Sequence, residues 1–423
     1  MVRLALVGFG GYGGGLVEVI NQVAERVGCR LVAAADTRLS SLPDQAQELS
    51  RAGVRLFDDP LAMFDALRGK CDAVYIATGI PSHAALTVAA ARAGYHVHLE
   101  KPPAATVQEV DAMLAALDAA GRFCLVGFQA LHGNDIRFIK ERLVSGRLGR
   151  VKTLVCHAGW PRTRAYYSRN DWAGKLRVGD AWVLDGPAMN ALAHQITNML
   201  FLASPEPNRL ATPTAVRAEL YAAGEVESHD TAAIEIHTAE GATAWFLASH
   251  CSEANFGPAI EIEAERGSVY WTMRDGATIT YAACPPPQSS SFSSSSSSST
   301  ESCPASDGRP EMIANLVEAV RCGDASVLRC PLSETRKFVL ALDGAHESSG
   351  RIHRIGPEHV RRAGEGGDAR TVVAGLDQAL TRAAVARCLF SDLSDALLWA
   401  ASTEPFSLPG YQEFPRQFPL GAP

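Results

Sequence analysis

The chain has 423 residues, an apolar content of 47% and a formal net charge of -7 at neutral pH. That length allows two domains with sizeable cores. The acidic balance, without any basic run, argues against a nucleic-acid or anionic-membrane partner, because each needs a basic face. The ten cysteines are scattered, with no C-x-x-C pair and no histidine at zinc spacing, so neither a disulfide framework nor a metal site is expected. The first apolar stretch, residues 4–7, meets glycine too soon for a signal-peptide core or a membrane span, which points to a cytoplasmic protein.

Residues 4–7 read as a strand running into Gly8-Phe9-Gly10-Gly11-Tyr12-Gly13 and then a helical segment over 14–27. Strand, glycine turn and helix in that order present backbone N–H groups at a helix N-terminus to a pyrophosphate. Gly8 suits the tight turn, Gly10 the approach of the diphosphate and Gly13 the packing of helix on strand, with Gly11 and Tyr12 in the same turn. A second strand, 31–35, ends at Asp36, near the interval of about 20 residues at which an acid accepts hydrogen bonds from an adenosine ribose. A carboxylate there repels a 2'-phosphate, whereas Thr37 and Arg38 beside it could accept one. The pattern favours NAD, with NADP as the alternative.

Further strands at 73–76, 96–99 and 123–126 alternate with helical segments at 84–93 and 107–120, which predicts a doubly wound parallel sheet over residues 1–127. In Ala77-Thr78-Gly79-Ile80-Pro81-Ser82-His83 a strand ends in small residues and a helix begins at Ser82 or His83. That leaves room for a ligand above the strand's carboxyl end, with Thr78 and His83 as cofactor contacts. The next strand ends in Glu100-Lys101-Pro102-Pro103. The prolines stop the strand and fix the backbone, so Lys101 and Glu100 are aimed at the cofactor crevice.

From residue 151 longer strands follow, at 151–157, 214–221, 232–237, 243–249 and 259–263. Several alternate apolar with polar residues, as a sheet with one solvated face would. They define a second domain over 128–355. Its serine-rich tract 289–302, shortly after three prolines, predicts a disordered loop over about 285–308. Helices are expected at 311–321 and 332–347. Residues 356–423 form an extension, helical over 375–401, that would cover a subunit interface or the active-site mouth.

Residues 186–204 contain no Asp, Glu, Lys or Arg and read as a buried helix. Asn190, His194 and Asn198 at i, i+4 and i+8 form a polar stripe on it, either a ligand-facing wall or a satisfied core network. An unperturbed imidazole titrates near pH 6.5 and suits His194 as a base, whereas Lys101 starts near 10.4 and needs lowering. Trp160, Arg162, Tyr167, Arg169, Asn170 and Trp172 combine aromatic faces with polar donors, as a carbohydrate site does.

The glycine fingerprint, Asp36, the Ala-Thr-x-x-x-x-His stretch ending at His83 and the Ala-Gly-x-His-Val-x-x-Glu-Lys-Pro motif resemble, in order, those of the Gfo/Idh/MocA oxidoreductases. The resemblance spans about residues 1–355. It implies an α/β protein with an N-terminal Rossmann domain and a C-terminal α/β domain whose large, open, mostly antiparallel sheet often mediates oligomerisation, hence a homo-oligomer, dimer or tetramer. The implied activity is NAD(P)-dependent hydride transfer with a sugar, polyol or related cyclic alcohol. The family's second motif, Asp-x-Gly-x-His-x-x-Asp, falls on residues 190–197. His194 is kept, but Asn190 and Thr197 replace the acids and Leu192 the glycine. Lys101, His194 and Asn190 are the catalytic candidates, with Asn190 expected to orient His194. The lost acids leave two alternatives open: an NAD-dependent glycoside hydrolase or lyase with transient oxidation, and a non-catalytic NAD(P)-binding sensor.

Overall fold

Short apolar runs followed by amphipathic segments form a parallel sheet when each crossover helix lies back on the strands it connects. In the computed structural model, which describes residues 1–282, 298–395 and 397–419, six strands do so. They are β1 (Val2–Val7), β2 (Cys29–Ala35), β3 (Arg55–Phe57), β4 (Ala73–Ile76), β5 (His96–Leu99) and β6 (Cys124–Val126), in the order β3-β2-β1-β4-β5-β6. The order reverses between β1 and β4, and the crevice for a ligand opens at their carboxyl ends. Strand β3 was not anticipated, because three residues beginning with an exposed arginine carry no hydrophobic period. The helix after β4 spans Ile80–Arg92, starting before the expected Ser82, since Pro81 suits a first turn.

The second domain is built around Val151–Gly159, a central strand of a ten-stranded mixed sheet. On one side lie Phe256–Ala264, Gly267–Thr272, Gly276–Tyr281 and Ser299–Cys303, all antiparallel to their neighbours. On the other, Thr243–Ser249 pairs in parallel, followed by antiparallel Thr231–Thr238 and Pro213–Ala222. Part of the tract expected to be disordered is therefore an edge strand. Glu301 holds it there by pairing with Arg142 and Arg147 at 3.1 and 2.7 Å, anchors that a serine count does not reveal. The remainder of that expectation, 285–297, lies outside the described residues.

Alternate residues of these strands feed two cores. Leu154, Cys156, Ile234 and Phe246 face the layer of helices Ala193–Ala203 and Leu332–Ser349. Val155, Ala233, Trp245 and Leu247 face Leu376, Leu380, Ala383 and Phe390 of the extension. The helix expected over 375–401 stops at Ala386, because Arg387 turns to φ 54 and lets Leu389 and Phe390 enter this second core. After the large sheet the chain returns to the nucleotide domain: helix Arg309–Cys322 packs on Tyr12–Val27, with Glu311 3.0 Å from Arg26. No described helix is long and apolar enough to cross a membrane.

The final described residues form a strap that ties three parts of the molecule together. Glu347 is fully buried and accepts hydrogen bonds from the Tyr411 hydroxyl at 2.6 Å, from the N–H groups of Gln417 and Phe418 at 2.8 and 2.9 Å, and from that of Arg416. Gln108 of the nucleotide domain pairs with both backbone groups of Phe414. Phe414 and Phe418 in turn pack against Trp182, ring centroids 5.1 and 6.4 Å away. A buried carboxylate that satisfies several donors is strongly destabilising to remove. Glu347→Ala is expected to lower the unfolding free energy by about 3 kcal/mol and to expose the strap to limited proteolysis. An unchanged denaturation midpoint would contradict this role.

Candidate active site

The glycine turn has little freedom to carry side chains. Gly8 lies at φ 84, where a Cβ would stand 2.6 Å from the Ala77 carbonyl oxygen, and a Cβ on Gly13 would stand 1.7 Å from that of Gly8. The following helix starts at Tyr12 without a side-chain cap, leaving first-turn N–H groups to phosphate oxygens. Asp36 is buried at the end of β2, its two oxygens held by the N–H groups of Gly10 at 3.0 Å and Arg38 at 2.9 Å. The Arg38 guanidinium lies 3.8 Å from the same carboxylate, while Thr37, Gly11 and Tyr12 are exposed at the rim. This donor set fits a dinucleotide, with N–H groups for the pyrophosphate and a fixed carboxylate for the ribose.

His83 is placed differently from the expectation that it meets the cofactor. It is buried, with Nδ1 2.9 Å from the Pro102 carbonyl oxygen and Nε2 3.1 Å from that of Thr78. The Thr78 hydroxyl itself accepts from Ser82 at 2.7 Å. His83 therefore sits between the loop after β4 and the segment after β5, and since burial pushes its pKa down the neutral ring donates to one of the two carbonyls. Glu100 is buried as well, accepting a hydrogen bond from the Tyr75 hydroxyl, and burial raises its pKa to about 7.

Beyond Glu100 the chain delivers Lys101 into the crevice. Its Nζ donates to the backbone oxygen of Asn190 at 2.8 Å and to Asn190 Oδ1 at 3.0 Å. Asn190 Nδ2 donates to Asp185 Oδ1 at 2.8 Å, and Asp185 Oδ2 accepts from the Gly174 N–H at 2.6 Å. Burial lowers the Lys101 pKa, against the opposing charges of Glu100 and Asp185. Burial also raises that of Asp185, against the Gly174 N–H and Asn190.

The uncharged segment 186–204 is not one helix. Residues Pro187–Ala191 form a π-helical turn, the chain breaks at Leu192, and the α-helix runs Ala193–Ala203. The break separates the expected stripe into three environments. Asn190 serves Lys101 instead of orienting His194. The His194 ring packs edge-on against Phe128 at 5.5 Å, and burial, with a smaller contribution from Lys101, lowers its pKa to about 3. Asn198 is fully buried with neither amide atom partnered among the described residues, which removes it from the cleft wall. Asp185 escaped the sequence reading, although it is the sole acid between residues 181 and 205. It follows Leu184, buried at φ 53, a conformation that costs a non-glycine residue free energy and marks a constrained turn.

The aromatic loop forms a stack. Arg162 lies 4.0 Å from the Trp160 ring centroid and 4.7 Å from that of Tyr166; Arg169 lies 3.7 Å from Tyr166 and 5.2 Å from Trp172. The Trp172 indole nitrogen would touch a Cβ on Gly79 at 2.9 Å, so the stack reaches the nucleotide domain. Tyr166, from the same aromatic stretch, lies between the two arginines. Tyr167 and Asn170 have other partners: the Tyr167 hydroxyl meets His250 Nδ1 at 2.9 Å, and Asn170 Oδ1 accepts from the N–H groups of Trp172 and Ala173.

A two-domain fold with a glycine-turn cradle and a lysine at the carboxyl end of β5 defines a class of nucleotide-dependent oxidoreductases. Residues 2–128 match the oxidoreductase family's NAD-binding Rossmann fold, and residues 136–270 match the GFO/IDH/MocA C-terminal domain. The chain belongs to the Gfo/Idh/MocA oxidoreductase family, and its first domain is NAD-binding. It is 30% identical over 162 residues to a D-glucoside 3-dehydrogenase of Escherichia coli (strain K12), covering 37% of this chain and 43% of that enzyme. It is 28% identical over 157 residues to a glycosyl hydrolase family 109 protein of Solibacter usitatus (strain Ellin6076), covering 36% and 35%. These matches span less than half of either relative. Levoglucosan dehydrogenase in complex with NADH shares the fold, with a TM-score of 0.66 at 20% identity, covering 82% of this chain and 96% of that one.

Gly13→Ala forces a methyl group into the Gly8 carbonyl. It is expected to weaken NADH binding by at least about tenfold, read by quenching or calorimetry; retained affinity would mean that the turn is not the cradle.

Proposed function

We propose that the protein is an NAD-dependent dehydrogenase or reductase acting on a hydroxyl of a sugar, polyol or related cyclic alcohol. The observation that carries this is Lys101, fixed by Asn190 of the second domain at the carboxyl end of β5, above the place that the glycine turn assigns to the cofactor. The similarity to a glucoside dehydrogenase supports the substrate class.

NAD would be held by the glycine turn and Asp36 and would supply the hydride acceptor or donor. The chain's own residues handle the proton. In the oxidative direction neutral Lys101 takes the proton of the substrate hydroxyl, and in reduction the ammonium returns it. Two of its bonding directions are held by the oxygens of Asn190, so the remaining one is aimed. His194 stays neutral at working pH and positions the hydroxyl by hydrogen bonding, because a pKa of about 3 makes it too weak a base for the role first expected of it. Asn190 and Asp185 keep Lys101 in place. Within this reading the enzyme works in the cytoplasm as a homo-oligomer whose contacts lie away from the sheet face under Leu376–Ala386, which the chain itself covers.

The relationship to a family 109 glycosyl hydrolase supports one second reading, in which oxidation is transient and a glycosidic bond is broken. Net formation of NADH from NAD with a sugar panel supports the dehydrogenase. Release of an aglycone from aryl glycosides without net NADH supports the hydrolase.

Lys101→Ala is expected to lower kcat by about 100- to 10,000-fold with NADH affinity retained. A fall of less than threefold would remove Lys101 from the chemistry. The pH profile gives a second check. Burial depresses the Lys101 pKa, so the rise of kcat/KM for oxidation with pH should end below the ordinary lysine range. Asp185 opposes that depression; Asp185→Asn should therefore move the rise to lower pH, and a shift to higher pH would contradict the assignment.

A further inference from the structure

The stack of Trp160, Arg162, Tyr166, Arg169 and Trp172 alternates ring and guanidinium from the end of the large sheet to Gly79 of the nucleotide domain. Stacking uses the flat faces of the two guanidinium groups and leaves their N–H edges as donors, of which Arg169 Nη1 is given to the Tyr166 carbonyl oxygen at 2.6 Å. Those edges lack carboxylate partners. Arg162 forms no ion pair among the described residues, and its Nε is buried without an acceptor. For Arg169 the nearest acid is Asp185, at 4.0 Å, whose two oxygens are already bonded to Asn190 and to the Gly174 N–H. Residues 283–297 contain no Asp or Glu, so they bring no missing carboxylate.

Several other arginines have carboxylate partners, while Arg122 and Arg354 donate to backbone carbonyls instead. Arg361 and Arg362 pair with Glu253 and Glu225, and Arg336 with Asp111 at 2.6 Å. The stack thus adds two under-partnered guanidinium groups, Arg169 near enough to act on Lys101, to a cleft whose carboxylates are Glu100 and Asp185. Neutral hydroxyls would not require those two charges. A sugar carrying a carboxylate or phosphate would, because a planar guanidinium edge matches such an oxyanion with two parallel hydrogen bonds.

We propose that Arg162 and Arg169 form an oxyanion-binding wall and that the substrate is an anionic sugar, its charged group held by this wall while the reacting hydroxyl lies at Lys101. The proposal rests on the dehydrogenase reading and sharpens its substrate class. Aromatic faces on either side of the arginines pack the sugar's C–H surface and keep the guanidinium edges from turning away.

The test uses the full chain loaded with NADH, titrated by calorimetry with hexuronates, aldonates and hexose phosphates and, in parallel, with the uncharged sugars of the same configuration. At least one anionic sugar should bind about tenfold or more tightly than its uncharged counterpart, with an advantage that shrinks as salt is raised. A carboxylate best ligand and a phosphate best ligand identify the two sources of the charge. Arg162→Gln and Arg169→Gln should each reduce the advantage, and Arg162→Lys, which keeps the charge but not the fork, should retain part of it. NADH affinity verifies that each variant is folded. No preference for anionic sugars across the panel, or a preference untouched by both Gln variants, overturns the proposal. Oxidation assays with NAD separate the two levels. Turnover of uncharged sugars without any gain from a charge leaves the dehydrogenase standing and removes the wall; anion binding without oxidation of any sugar does the reverse.

Discussion

An ammonium group taken partly out of water must be given acceptors, or it loses its proton or its place. Lys101 meets that constraint across a domain boundary. It projects from the carboxyl end of a nucleotide-domain strand, and both of its acceptors belong to Asn190 in the second domain. The two bonds therefore do more than hold one side chain. They join the carboxyl end of β5 to the second domain, and His83 lies between the two loops that flank it on the near side.

The far side is secured through longer connections. Asp185 and the π-helical turn sit between the short pairing of Arg177–Val178 with Ala181–Trp182 and the buried helix Ala193–Ala203. Trp182 packs beneath Phe414 and Phe418 of the strap, which Glu347 and Gln108 fasten to the helix layer and to the nucleotide domain. At the opposite end of the large helix layer, buried Lys140 donates to the carbonyls of Phe201 and Ser204, capping the helix that carries His194. The chemistry is carried by a few residues, and chain well outside the cleft keeps them in register.

The nucleotide domain was readable because its signals are local. A glycine that must turn at φ 84, an acid at the end of a strand and a lysine stopped by prolines are each fixed by residues within a short window. Strands β4 and β5 and the helix Val107–Ala120 fall where period and capping place them. The edge strand Ser299–Cys303 is hidden in the serine tract because its partners, the strand Gly276–Tyr281 and the arginines Arg142 and Arg147 that pair with Glu301, lie outside that tract. The polar stripe failed for a related reason. A 3.6-residue period assumes an unbroken helix, and the π turn at Pro187–Ala191 rotates Asn190 away from His194. Asp185 lies one residue before the uncharged segment 186–204, and its place in the site depends on a hydrogen bond from a neutral amide that no spacing rule records.

The exchange of acid for amide at position 190 has a consistent electrostatic consequence. A carboxylate in direct contact with Lys101 would stabilise the ammonium strongly and keep the proton on the lysine. Here the contact is made by an amide and a carbonyl, neutral acceptors that orient Nζ, while the negative charge stands one hydrogen bond further off at Asp185. At that separation it opposes the depression of the lysine pKa without cancelling it. Burial also lowers the His194 pKa to about 3, while it raises those of Glu100 and Asp185, the two carboxylates that act on Lys101. The amide at position 190 thus links Lys101 to a carboxylate one hydrogen bond away instead of meeting it with a charge of its own.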